Sequence, residues 1–180
     1  MTKPRTTKLA LFAGATALAA LAPQVHAQSS DSLIDKLVDK GSLTVDEAKD
    51  LHAEQSTLAT VAFLERNPKG FDHDDLLKQM FLKNALVKAQ AERASEEAEF
   101  AAKQLHQKAE IGRIDILATR DNEVLTAVTG QIIRSGIFQD KAFTEAFPFT
   151  LRLRLIRNPN MSLNGRFPTA VGDFKYEINR

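Results

Sequence analysis

The sequence predicts an α+β chain made of an N-terminal helical hairpin, a long helix and a small C-terminal antiparallel β-sheet. Three observations predict it. A capping-box pattern, Thr44-x-x-Glu47, follows a glycine that ends an earlier amphipathic turn. The stretch from Asp72 to Ile111 is rich in Ala, Glu, Lys and Gln and contains neither Gly nor Pro. From Phe147 to Leu155, apolar and polar residues alternate with the period of a strand. These signals divide the chain into residues 1–27, 28–56, 57–111 and 112–180.

Residues 1–27 read as a secretory signal peptide. Lys3, Arg5 and Lys8 form a positive start, and Leu9 to Leu21 is an uncharged run of mainly Leu, Ala and Phe. Pro23 breaks that run, and Val25-His26-Ala27 offers modest side chains at the expected cleavage point before Gln28. The apolar run is shorter than the roughly 20 residues a membrane-spanning helix needs. An exported chain is therefore expected, periplasmic or associated with the outer membrane, with no transmembrane span in the mature part. There is no cysteine. Disulfides, thiol catalysis, thiolate metal sites and a cysteine-linked lipid anchor are thereby excluded.

Residues 28–56 read as a hairpin of two short helices. Leu33, Ile34, Leu37 and Val38 recur at helical spacing, and Gly41 stands where a left-handed residue terminates a helix. Thr44 and Glu47 then open the second helix, with Ala48 and Leu51 on its apolar face.

The stretch from Ser29 to Ala48 ends in Leu37-Val38-Asp39-Lys40-Gly41-Ser42-Leu43-Thr44-Val45-Asp46-Glu47-Ala48. It resembles the segment that directly follows the signal peptide in outer-membrane porins of Gram-negative bacteria. The signal peptide and this segment cover the first 50 or so of the 180 residues. The resemblance implies an envelope location. In that family a large β-barrel follows, which needs many alternating strands of about 10 residues. The remaining chain departs from that pattern and closes on Asn179-Arg180 rather than on an aromatic residue. Pore activity is therefore not expected. A porin-related outer-membrane component without a complete barrel is the second reading of the chain.

Residues 57–111 read as a long helical arm. Leu58, Val61, Phe63 and Leu64 form an apolar patch, and Asn67-Pro68-Lys69-Gly70 is a turn signal. Asp72 suits the start of the next helix, with Phe71 and Leu76 spaced as a hydrophobic staple. Adjacent carboxylates at Asp72, Asp74 and Asp75 point around a helix rather than towards one ion. Leu77, Met80, Asn84, Val87, Ala91, Ala94, Ala98, Ala101 and Leu105 then alternate at steps of three and four. That seam fits a coiled coil, or a single amphipathic helix lying on its own domain.

Residues 112–180 read as a small α+β domain. Ile114, Ile116 and Leu117 fit a helix extension or a strand equally. Val124, Leu125, Val128, Ile132 and Ile133 suit a helix capped by Asp121 and ended near Gly136. Phe147, Phe149, Leu151, Leu153 and Leu155 make one face of a strand, with Arg152 and Arg154 on the other. After the Asn158-Pro159-Asn160 turn, Met161, Leu163 and Phe167 read as a return strand. Phe174, Tyr176 and Ile178 read as the third strand of an antiparallel sheet with an arginine-lined outer face.

No residue set suggests an enzyme or a cofactor. His52, His73 and His106 lack neighbours at metal-ligand spacing and read as surface residues, and no glycine loop or nucleophile motif is present. Charge is uneven instead: residues 31–110 carry 16 acidic and 11 basic side chains. Residues 147–180 carry Arg152, Arg154, Arg157, Arg166, Lys175 and Arg180 against Asp173 and Glu177. The expected partners are a second copy of the chain, an envelope protein or an anionic surface, and not nucleic acid. Leu77, Met80, Asn84 and Val87 on the arm, with Arg152, Arg154 and Arg157 on the sheet, are the candidate contact residues. The chain reads as an exported, non-enzymatic envelope protein acting through helix-mediated self-association or partner binding.

Overall fold

The computed structural model describes residues 44–120, 123–161 and 167–179, with Val38, Lys40 and Gly41. The predicted signal peptide and nearly all of the first hairpin helix lie outside the described residues. Gly41 takes φ +67° and its N–H donates to the Val38 carbonyl at 2.9 Å, the turn-ending geometry that its position predicts. The capping box is formed in both directions. Thr44 Oγ1 accepts from the Glu47 N–H at 3.1 Å, and the Glu47 carboxylate accepts from the Thr44 N–H at 2.7 Å.

That cap opens helix α1, Val45–Leu64. With no Gly or Pro inside it, α1 runs straight through residue 56, where the sequence divided the hairpin from the arm. Strands β1 (Arg66–Asn67) and β2 (Gly70–Phe71) form a miniature hairpin. Asn67 Oδ1 accepts from the N–H groups of Lys69 and Gly70 at 2.7 and 3.2 Å, so the turn signal is an Asx turn.

The expected long arm takes in the end of α1 and the β1–β2 hairpin, and beyond them it is three more pieces. Helix α2 (Asp74–Met80) begins after His73, not at Asp72, and ends at Phe81. Helix α3 is Lys83–Ala102. Strand β3, His106–Arg120, begins before the arm was expected to end. No breaker residue stands at Phe81; tertiary burial breaks the helix there. Phe81 packs against Phe63 and Phe174 at ring-centroid distances of 6.3 and 5.9 Å, and the Leu82 N–H donates to the Val171 carbonyl at 3.0 Å.

Strands β4 (Glu123–Phe138), β5 (Lys141–Arg157) and β6 (Thr169–Ile178) complete a six-stranded, wholly antiparallel sheet in the order β2-β1-β3-β4-β5-β6. This overturns the expected fold, a helical arm carrying a small three-stranded sheet. Among the described residues, three helices instead pack on a large curled sheet. The expected helix carrying Val124 to Ile133 and ending near Gly136 is instead strand β4. Val124, Val128 and Ile132 are four apart, a spacing that shares one face in a helix and in a strand alike. Met161 and Phe167 lie in no strand, and β5 pairs directly with β6.

Gln139 and Asp140, at φ +51° and +60°, close the β4–β5 hairpin as a two-residue turn with both central residues left-handed. The inner face of the sheet carries Val124, Thr126, Val128 and Ile132 from β4, and Phe149, Leu151, Leu153 and Leu155 from β5. Against them pack Phe63 and Leu64 of α1, Leu77 and Met80 of α2, and Ala85 and Ala89 of α3. Part of the α1 docking face is polar: His52, Gln55, Ser56 and Thr60 are all buried. Ser56 Oγ lies 2.9 Å from Thr126 Oγ1, and Thr169 Oγ1 donates to Gln55 Oε1. Thus His52 is a core residue, not the surface residue its sequence context suggested. Among the described residues, no helix is long and apolar enough to cross a membrane.

Bulges interrupt the ladders between Ile111 and Arg113, between Ile116 and Ala118, and between Arg154 and Leu155. At the first of them Gly130 lies so close to β3 that a Cβ built on it would fall 2.0 Å from the Glu110 carbonyl oxygen.

Candidate partner-binding surfaces

The predicted seam residues separate into two groups. Leu77 and Met80 are 0% and 1% exposed in the core, so neither is available to a partner. Asn84 and Val87 lie on the exposed side of α3, Val87 at 58% exposure, together with Ala91, Ala94, Ala98 and Ala101. The buried side of α3 runs through Ala85, Ala89 and Phe100, with Arg93 and Glu96 half-buried between them. From Val87 onward the true seam therefore lies two residues on from the predicted one, on the opposite face of the helix. The exposed stripe offers a partner little apolar area. Val87→Ser is expected to leave the unfolding free energy within about 0.5 kcal/mol of the parent and the sedimentation coefficient unchanged. Equilibrium unfolding and sedimentation velocity check both.

Besides Ala85 and Ala89, a charge node that no sequence pattern announced ties α3 to the sheet. Glu96 accepts from Arg66 Nη2 at 2.8 Å and from Arg134 Nη2 at 2.9 Å. Arg134 Nε donates to Gln107 Oε1 at 2.7 Å, and Gln107 Nε2 donates to the Leu64 carbonyl at 2.7 Å. Both guanidinium groups lie over the Phe100 ring, 4.9 and 5.2 Å from its centroid. Burial works to raise the Glu96 pKa, but the Arg134 hydrogen bond and the Arg66 charge outweigh it and hold the carboxyl below its ordinary value. Burial also pushes the Arg66 guanidinium down from its usual value.

A second node surrounds the start of α2. Lys108 Nζ bridges Glu65 and Asp72 at 2.7 and 2.9 Å, Asn67 Nδ2 donates to Asp72 at 2.6 Å, and His73 Nε2 lies 3.2 Å from Glu65. Asp72, expected as a helix cap, is instead tied to β3. Among the described residues, no group of three His, Asp or Glu side chains is arranged to hold a metal ion.

The outer face of the sheet brings Arg152 and Arg154 side by side, as the period-two pattern predicted. Across β5 and β6, Arg152 faces Lys175 and Arg154 faces Asp173. Around them lies a shallow groove of about 390 Å³, its walls formed by Leu117, Leu125, Arg152, Arg154, Asp173 and Lys175. Lys88 reaches round the β6 edge to the Phe174 carbonyl and Asp173, and its hydrogen bond holds the Asp173 pKa below the ordinary value. Arg154 pairs with Glu123 at 3.2 Å and Arg152 with Glu177 at 3.9 Å, all of them solvent-accessible. Arg157 is exposed at the end of the same strand. The arginine face is thus a lattice of exposed ion pairs around two leucines, not a bare positive patch.

No protein-family model and no curated protein sequence matches the chain. Solved structures do resemble it. A periplasmic fragment of TraM shares 11% identity over 73% of this chain and 98% of its own, with a TM-score of 0.51. An IcmL-like type IV secretion system protein of Legionella pneumophila shares 8% identity over 71% and 91%, with a TM-score of 0.54. CagV, a VirB8 homologue of Helicobacter pylori strain 26695, shares 16% identity over 71% and 98%, with a TM-score of 0.50. At such identities the likeness is one of fold: 71–73% of this chain has the architecture of 91–98% of each of these domains.

Proposed function

We propose that the chain is an exported, non-enzymatic module of an envelope assembly that works by binding a partner protein. The observation that carries this reading is the fold, shared along 91–98% of the length of domains described as periplasmic or as type IV secretion system components. The signal-like residues 1–27 agree with it.

The contact surface in this reading is the outer sheet groove. Leu117, 56% exposed, and Leu125 supply apolar area, and Arg152, Arg154 and Lys175 surround them. The exposed pairs of Arg152 and Arg154 each contribute only about 0–1 kcal/mol. They exchange readily for carboxylates of a partner, so an acidic segment with apolar anchors is the complementary chemistry.

A photo-crosslinking residue at Leu117 in the native cell tests the reading. The expected result is an adduct with an envelope protein, recovered outside the cytoplasm and lost in the folded variant Arg152→Glu/Arg154→Glu. A chain retained in the cytoplasm, or an adduct indifferent to the double reversal, overturns it. Binding of the purified protein to anionic vesicles in place of a protein adduct would also overturn it in favour of a lipid surface.

A further inference from the structure

The two sides of the sheet are finished differently. At β6, the Val171 carbonyl is taken by Leu82 and the Phe174 carbonyl by Lys88, and Phe81 forms a parallel bridge to Val171. At β3, the neighbour β1 touches a single position, Gln107. Among the described residues, β3 from Lys108 to Arg120 pairs only with β4. A row of thirteen residues without proline is left with one open backbone edge, which is a template for a further strand. Its inward side chains Ala109, Ile111, Ile114 and Ile116 are only half-buried, so the core is incompletely covered along this edge.

We infer that β3 is a homodimer edge, on which two copies of the chain pair antiparallel about a two-fold axis at Ile114. The register follows from space. β1 blocks the edge at Gln107 and the strand ends at Arg120, so the full open edge is used only when Lys108 of one copy lies opposite Arg120 of the other. The centre then falls on Ile114, within the regular stretch Arg113–Ile116 between the two bulges of β3. In this register Arg113 of each copy faces Asp115 of the other. Within one copy Arg113 and Asp115 are paired at 2.7 Å on the outer face, so each finds the same chemistry across the axis. Lys108 and Arg120, brought together at the ends, are each already neutralised by Glu65 and Asp72, and by Glu123. The dimer places the two outer grooves on one continuous sheet of twelve strands, twice the six of one copy.

Sedimentation velocity of the full chain across a concentration series tests the inference, with circular dichroism confirming the fold of each variant. The wild type is expected to dimerise. Arg113→Asp and Asp115→Arg each set like charges against each other twice, and each is expected to sediment as a folded monomer. Mixed one to one, the two variants are expected to form a heterodimer, because every cross-axis pair is then opposite in sign. A wild type that stays monomeric at the highest concentration reached, or single variants that dimerise like the wild type, overturns the inference. Partner crosslinking at Leu117 is a separate readout, so this inference and the proposed function fail independently.

Discussion

Glu96→Ala is expected to destabilise the protein by about 3–5 kcal/mol, because it leaves two buried guanidinium groups without their shared counter-charge. Arg66 and Arg134 are 2% and 3% exposed, and Glu96 touches both. Their remaining partners, Gln107 and the face of Phe100, carry no negative charge, and Glu99 lies 3.9 Å from Arg134 alone. Glu97→Ala is the control: Glu97 is exposed and sits 3.9 Å from Arg93, so its loss is expected within about 0.5 kcal/mol. Urea unfolding of the two variants side by side makes the measurement. The node also sets a pH response. The folded Glu96 pKa is depressed below the ordinary glutamate value of 4.5, so its contribution is complete above that unfolded value. It is lost as pH falls through the lower, folded value. The stability gap between the parent and Glu96→Gln is therefore expected to close on acidification below that range, and a gap unchanged from neutral to strongly acid pH would contradict the assignment.

Gly130→Ala is the second large effect, expected at about 4 kcal/mol or more. The added Cβ meets the Glu110 carbonyl oxygen at 2.0 Å, with the Glu110 carbonyl carbon and the Gly112 nitrogen each at 3.0 Å. All three are backbone atoms, so no side-chain rotation relieves the contact and β3 must move away from β4. Gly112, across the same bulge, has its nearest neighbour at 3.6 Å, an ordinary contact. Gly112→Ala is expected to change stability by less than about 1 kcal/mol. Thermal unfolding of the pair separates close strand approach from a general cost of replacing glycine.

Local chemistry was legible wherever a few neighbouring residues decide the outcome. Gly41, the Thr44–Glu47 box, the Asn67 turn and the alternation along β5 all appear in the structure as their residue types predict. The stretch from Lys103 to Gly136 was not legible. An absence of Gly and Pro permits a helix without requiring one, and β3 hides its alternation because two bulges shift its phase. In β4 the repeat of four at Val124, Val128 and Ile132 satisfies both periods. On α3, alanines stand on both faces, so apolar counting chose the wrong one. The buried face is marked instead by Phe100 and by Glu96, whose partners lie 30 and 38 residues away. Of the candidate surface, the pairing of Arg152 with Arg154 on one face was readable. Their carboxylate partners on β4 and β6 depend on strand order, which the sequence pattern does not encode.

The polar stripe on α1 bears on how the chain survives its own synthesis. Gln55 and its partner Thr169 are 114 residues apart. At about 5–20 residues per second, α1 leaves the ribosome roughly 6–23 s before that partner exists. The β4–β5 hairpin, joined by two residues, can close as soon as it is made. A helix that must wait for its sheet is exposed to other nascent chains. Building half of its docking face from His52, Gln55, Ser56 and Thr60 interrupts the apolar stripe it would otherwise present in that interval.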